Sequence, residues 1–155
     1  MDKYTLINRA YELFSDFDEP LKYTIHYNCP ECDDHEAVLR GLDRETLSGS
    51  DFGTAVYTPL WNMTAEAIAY FLPRIIELAL NNETDADNTP ILIRFINLSA
   101  DGPKADRFEL LSDEQVACIS DVLLYIKSHH RDIVECECWS DELNSAINNW
   151  HTNHG

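Results

Sequence analysis

The sequence predicts a mainly α-helical, single compact domain of about five or six helices, spanning 1–155 with a mobile tail from about 151. Three observations carry that expectation. Apolar residues recur at three- and four-residue spacing along most of the chain, as one face of a helix requires. Side chains that cap helices (Asp2, Thr64, Ser112) stand just ahead of those patterns. Period-two alternation over 21–27 allows a short extended segment or hairpin there.

Taken in order, Asp2 precedes Tyr4, Ile7, Ala10, Tyr11 and Phe14, whose spacing predicts a helix over 3–15. Pro20 ends that region. Leu21, Tyr23, Ile25 and Tyr27 alternate with Lys22, Thr24 and His26, the pattern of a short strand or extended connector. After Pro30, the stretch 31–39 reads as helix, with acids in its first turn facing the positive end of the dipole and Gly41 as its stop. Residues 43–47 allow one further turn. The segment 48–62 is rich in Gly, Ser, Thr and Pro, and predicts a loop pinned to the core by Phe52, Val56, Tyr57, Leu60 and Trp61.

Thr64 caps the strongest helix, in which Ala67, Ile68, Phe71, Leu72, Ile75, Ile76, Ala79 and Leu80 form one wide apolar stripe. Pro73 lies within it and cannot donate to the carbonyl of Ala69, so a kink or a division into two helices is expected. The polar, acidic stretch 81–89 reads as an exposed loop. Over 91–98 helix is favoured, with Pro90 as its first residue after a Thr89 cap, although Ile91, Ile93 and Phe95 equally suit a buried strand. Asp101-Gly102-Pro103 turns the chain. Ser112 with Gln115 forms a capping box for a helix through Val116, Ile119, Val122, Leu123 and Ile126 to about 129. Ser140 or Asp141 caps a last helix through Leu143, Ala146, Ile147 and Trp150.

Length and composition bound what such a domain does. At 155 residues with 45% hydrophobic content, the chain can bury a real core without disulfides or a metal. Eleven Lys and Arg against 28 Asp and Glu give a net charge of -17, which repels phosphate backbones and anionic headgroups. Direct nucleic-acid and membrane binding are therefore disfavoured. The expected setting is the cytoplasm, because Met1 runs straight into an amphipathic pattern without an export signal. In that setting the odd set of cysteines, at 29, 32, 118, 136 and 138, reads as thiols or metal ligands rather than bridges.

The most specific local pattern is His26-Tyr-Asn-Cys29-Pro-Glu-Cys32-Asp-Asp-His35. Tetrahedral Zn²⁺ takes four S or N ligands, and a Cys-Pro-x-Cys turn can aim two thiolates at one ion, with Cys32 and His35 on one helical face. Four ligands from ten residues would be cramped, and the acids Glu31, Asp33, Asp34 and Glu36 are poor neighbours for thiolates. The same acids oppose redox chemistry, which needs a thiolate stabilised by positive charge. Pairing Cys29 or Cys32 with His129 or His130 as a nucleophile and base has no specific support, and no catalytic residue is assigned. Asp51-Phe52-Gly53 matches a kinase magnesium triplet without the glycine-rich loop or chain length a kinase needs.

Acid clustering is the other feature above background. It appears at Asp16-Asp18-Glu19, Glu31 to Glu36, Glu83-Asp85-Asp87, and Glu135-Glu137 with Asp141-Glu142. A solvated, soluble exterior explains such runs, and so does a surface steered toward a cationic protein. On the second reading Glu31, Asp33, Asp34, Glu36, Asp85, Asp87, Glu135 and Glu137 bind the partner.

Four stretches, in order, carry a family resemblance: Cys29-Pro-Glu-Cys32-Asp-Asp-His35; Glu66-Ala-Ile-Ala-Tyr70-Phe71-Leu72-Pro73; Asp113-Glu-Gln115-Val116; and Leu143 to Trp150. Together they resemble a bacterial family of uncharacterised proteins, domain of unknown function 6714, over about 23–150. The resemblance implies a bacterial cytoplasmic origin and a structural role for the cysteine element and Pro73, and brings no activity or catalytic residue. The leading functional expectation is a non-enzymatic acidic binding protein, an immunity or inhibitor protein that occludes a basic, nuclease-like toxin or enzyme and requires no cofactor. The alternative, from another class, is a metal- or thiol-dependent enzyme, or a zinc-stabilised module, centred on Cys29, Cys32 and His35 with His26 as a fourth ligand. Oligomeric state and the partner's identity are not legible in the chain.

Overall fold

The computed structural model describes residues 2–25, 29–54 and 57–154, with side chains through residue 151. Regular structure among these residues is helical throughout: seven α-helices and three short 3-10 turns, with no strand. The apolar residues of every helix join one continuous buried cluster.

Helix α1 (Lys3–Leu13) starts where Asp2 accepts the amide of Thr5 at 2.8 Å, and it buries Leu6, Ile7 and Ala10. It is two residues shorter than its apolar spacing suggests. Phe14 is buried in the turn that follows, packed 6.0 Å from the ring of Phe17.

The alternation over 21–27 does not build a strand or a hairpin within the described part, 21–25. Thr24 forms a single antiparallel bridge with Met63, flanked by Ile25 N to Asn62 O at 2.7 Å and Thr64 N to Tyr23 O at 3.0 Å. Ladder growth fails because the partner stretch 62–64 is only a connector between a 3-10 turn and a helix. The carboxylate of Glu36 takes the amides of both Tyr23 and Thr24 instead. Only Tyr23 of the alternating apolar set turns inward, and Leu21 and Ile25 face solvent. Tyr27 and His26 lie outside the described residues.

Helix α2 (Pro30–Arg40) carries Pro30 in its first turn, where the missing amide costs nothing, with Glu31 and Asp33 beside it. Residues 43–47 form one hydrogen-bonded turn, Leu47 N to Asp43 O at 3.0 Å. The stretch 48–62 holds two 3-10 turns, Gly49–Phe52 and Leu60–Asn62. Asp51 of the kinase-like triplet closes a capping box with Ser48, and Phe52 is buried. Phe52 and Leu60 do pin this segment to the core. Tyr57 and Trp61 stay largely outside it, and Val56 lies outside the described residues.

Helix α3 (Ala65–Leu80), capped by Thr64 at 3.1 Å to the amide of Ala67, is the centre of the fold, packing on α1 and α4 and on the 3-10 turn Asp106–Phe108. Pro73 does not divide it. Most of α3 is buried on every side, so neighbouring helices hold its two halves in line against the missing hydrogen bond. Its C-terminus is a Schellman motif: Asn82 at φ 60°, Glu83 N to Leu78 O at 3.0 Å and Asn82 N to Ala79 O at 3.2 Å.

Helix α4 (Ile91–Ser99) confirms the helical choice for this stretch, with Pro90 as the cap rather than the first helical residue. Helix α5 (Asp113–His129) bears the predicted capping box, Ser112 N to Gln115 Oε1 at 2.8 Å, and Gln115 also donates to Leu13 O at 2.8 Å, tying α5 to α1. A short helix, α6 (Arg131–Cys136), follows at once and has no counterpart in the sequence expectations. Cys138, at φ 60°, closes it in a second Schellman motif through Trp139 N to Val134 O at 2.9 Å. Helix α7 (Ser140–His154) includes Ser140 as its first residue and runs four residues past Trp150, into the stretch expected to be tail. Trp150 is buried between Phe108 and α4, donating to Ser99 O at 2.7 Å.

Candidate partner-binding surface

The charges divide into two populations. Eight of the eleven Lys and Arg form ion pairs: Arg9, Lys22, Arg40, Arg44, Arg74, Arg94, Arg107 and Arg131. Their acceptors are seven carboxylates, Glu36 serving two cations, so 21 of the 28 carboxylates stand outside these pairs. Lys3, Lys104 and Lys127 are the cations left over. Most of the positive charge is paired within the chain, in part at the surface, where Arg40 and Arg131 are exposed, and the charge outside these pairs is predominantly anionic.

That division cuts through the residues expected to meet a partner. Asp85 is buried: both of its oxygens are occupied, Oδ2 by Arg94 Nε at 2.9 Å and Nη2 at 2.7 Å, Oδ1 by the amides of Asp87 and Thr89. It organises the turn after α3 and offers nothing to a partner. Glu36 is likewise turned inward, gathering Tyr23 N, Thr24 N, Thr24 Oγ1, Lys22 and Arg40. Burial alone would raise its pKa. The donors around it outweigh burial and hold it at about 2. Glu135 is exposed and bonded to Arg131 at 2.8 Å. Asp33, Asp34, Asp87 and Glu137 are exposed, and Glu31 is partly buried beside His35.

Two of the acidic clusters become neighbours in space. Tyr57 donates to Asp34 of α2 at 3.0 Å, Thr54 N donates to Tyr57 O at 3.1 Å, and Ala86 N donates to Gly53 O at 2.9 Å. Gly53, Thr54 and Tyr57 thus link the start of α2 to the turn 83–87, bringing acidic segments some fifty residues apart in sequence toward one another. Gly49 and Gly53 make the link close. A Cβ at Gly49 would run into the carbonyl oxygen of Thr84, and Gly53 sits at φ 72°.

The cysteine and histidine element takes a different form from a metal cage. Cys29 is the residue before α2 and Cys32 points into the core, with the two thiols in hydrogen-bonding reach. Burial, then the Cys29 thiol, pushes Cys32 up to about 11, so it stays protonated at neutral pH. The His35 side chain is 6% exposed, its ring packs tilted against that of Tyr57 with centres 4.6 Å apart, and its Nε2 lies 3.6 Å from Glu31 without a hydrogen bond among the described residues. Cys29, Cys32 and His35 are not gathered around a common point, and no group of three or more His, Cys, Asp or Glu among the described residues is arranged to hold a metal ion. His26 lies outside the described residues. Cys118 is buried and likewise raised to about 11 by burial, and Cys136 and Cys138 are exposed at the end of α6.

Leu21, Ile25, Trp61 and Leu110 all remain exposed and line two adjoining grooves of about 660 and 260 Å³ that share Ala65 and Glu109 as walls. Leu110 shows no helical or strand periodicity with its neighbours, and the aromatic content of 48–62 reads as core, so nothing in the sequence marks these residues as a surface.

No described helix is long and apolar enough to cross a membrane. The chain matches no protein-family model, no curated protein and no solved structure.

Proposed function

We propose that this protein is a non-enzymatic acidic binding protein that neutralises a basic protein, a nuclease-like toxin or enzyme, by covering its cationic active surface. The observation that carries the reading is the pairing of eight cations within the chain, which leaves 21 carboxylates against three cations outside those pairs. A field of this sign accelerates encounter with a basic surface and rejects anionic partners. Support also comes from the exposed acids Asp33, Asp34 and Asp87, whose segments are linked by the Tyr57 hydroxyl on Asp34 and by the backbone bonds of Thr54 to Tyr57 and Ala86 to Gly53. The bacterial, cytoplasmic setting belongs to the same proposal and rests on the resemblance carried by Cys29 to His35, Glu66 to Pro73, Asp113 to Val116 and Leu143 to Trp150.

The test is retention of host proteins by the immobilised chain at about 50 mM and about 300 mM salt, over which the screening length falls by more than half. A basic protein held at low salt, released at high salt and inhibited at one equivalent is the expected result. Retention of no basic protein, or retention indifferent to salt, sinks the reading.

A zinc-stabilised module is the second reading, favoured by the neighbouring Cys29 and Cys32 thiols and by the buried His35 Nε2 that lacks a hydrogen bond. Zinc that stays stoichiometric through dialysis, and is lost in Cys32→Ser, supports it; protein that folds and binds its partner without metal excludes it.

A further inference from the structure

We infer that the groove lined by Leu21, Ile25, Trp61 and Leu110 is the anchoring site for a basic amphipathic helix of the partner. The inference rests on the binding reading above and assigns it a place on the molecule.

The groove is built rather than incidental. Its floor is Leu60 and Met63, both buried, and the bridge between Thr24 and Met63 fixes the relation of Ile25 to Trp61. Trp61, 39% exposed, is held by the Arg107 guanidinium, 5.4 Å from its ring centre, while Arg107 itself donates to Leu98 O at 3.1 Å. The indole is therefore positioned before a partner arrives, and Trp is among the residues enriched at binding hot spots. Leu21 is 90% exposed, Ile25 49% and Leu110 44%. Four large apolar side chains, Ile25 and Trp61 in one depression and Leu21 and Leu110 in the adjoining one, are more than the scattered exposure of an ordinary surface.

Charge decides the occupant. Among the lining residues, Lys22 is paired with Glu36 and Arg107 with Asp101. Glu66, Asp106 and Glu109 remain outside any ion pair, against Lys104 alone. The rim is acidic around an apolar floor, which complements a helix with one apolar and one basic face. A second copy of this chain brings another net charge of -17 to the contact, and an anionic bilayer is repelled by the same field. The exposed acids Asp33 and Asp34 then steer the partner, while the groove sets how long it stays.

The probe is a synthetic helical peptide of about 18 residues, Leu on one face and Lys on the other, titrated by calorimetry at about 50 mM salt. Trp61→Ala and Leu110→Ser are each expected to weaken binding about 30-fold, with circular dichroism and melting temperature confirming that both variants fold. Asp33→Asn is expected to change the dissociation constant less than about threefold and to act on the association rate. The same peptide with Glu in place of Lys should not bind. Equal binding by wild type, Trp61→Ala and Leu110→Ser overturns the groove and leaves the acidic binding reading standing. Binding of the Glu peptide as tightly as the Lys peptide overturns the charge argument. Absence of any binding of the Lys peptide to wild type overturns the groove and counts against the binding reading as well. Self-association of the wild type that Leu110→Ser abolishes, seen by sedimentation, assigns the groove to a second copy and overturns the proposal.

Discussion

Replacing Asp85 by Ala separates a carboxylate used to fold the protein from one used to bind a partner. The Asp85 side chain is 1% exposed and that of Arg94 13%, and the two are joined by a two-pronged ion pair at 2.9 and 2.7 Å. Removing Asp85 strands the guanidinium in a place where water cannot replace the carboxylate, and leaves the amides of Asp87 and Thr89 without their acceptor. Breaking a buried pair on one side costs about 3–5 kcal/mol. The total stability of a domain this size is about 5–15 kcal/mol, so the variant gives up about a fifth of it at the least. With a urea dependence of about 2 kcal/mol per molar, the midpoint falls by about 1.5–2.5 M. Equilibrium unfolding followed by far-ultraviolet circular dichroism and by tryptophan fluorescence reads this directly, since coincident curves also test two-state behaviour. Adding Arg94→Met should recover part of the loss, because the stranded charge goes with it. A midpoint shift below about 0.5 M would mean that Arg94 finds water in the variant, and that the turn 83–89 does not depend on this pair.

Three further outcomes follow from the same geometry. Glu36 is ionised with a pKa near 2, below its ordinary 4.5, so its contribution to stability is complete above about pH 4.5 and is lost as pH falls toward 2. Glu36→Gln should flatten that acid limb in melting temperature measured from pH 6 to 2, and an unchanged limb would remove Glu36 from the account. Ser112→Ala deletes one half of the α5 capping box and should cost about 1 kcal/mol in urea unfolding, with the loss of helix cooperativity confined to hydrogen exchange at the first turn of α5. Gly49→Ala drives a methyl group against the Thr84 carbonyl and should cost about 1–3 kcal/mol, and a neutral substitution would show that the loop 48–58 can move off the turn 83–87.

The sequence determined the helical class and most of the helices, for a physical reason that α3 and α5 make plain. The Thr64 cap, the Ser112–Gln115 box and the three- and four-residue apolar spacing are local, and local geometry sets which amides a cap can reach and which face a side chain takes. Composition likewise established that the molecule carries a strongly negative field. Alternation at Leu21, Tyr23 and Ile25 misled because a strand needs a partner, and whether one exists is a property of the whole chain. Helix α6 was hidden because six residues are too few to display a period. For the candidate surface the division is sharper. Sequence locates carboxylates but not their partners, so Asp33, Glu36 and Asp85 look alike until packing puts Arg94 against Asp85 and two backbone amides against Glu36. Only the tertiary structure joins the acids of α2 to those of the turn 83–87 through Tyr57 and Gly53. It alone leaves Leu21, Ile25, Trp61 and Leu110 together at adjoining grooves, because burial is decided by what other segments cover, and no other segment covers them among the described residues.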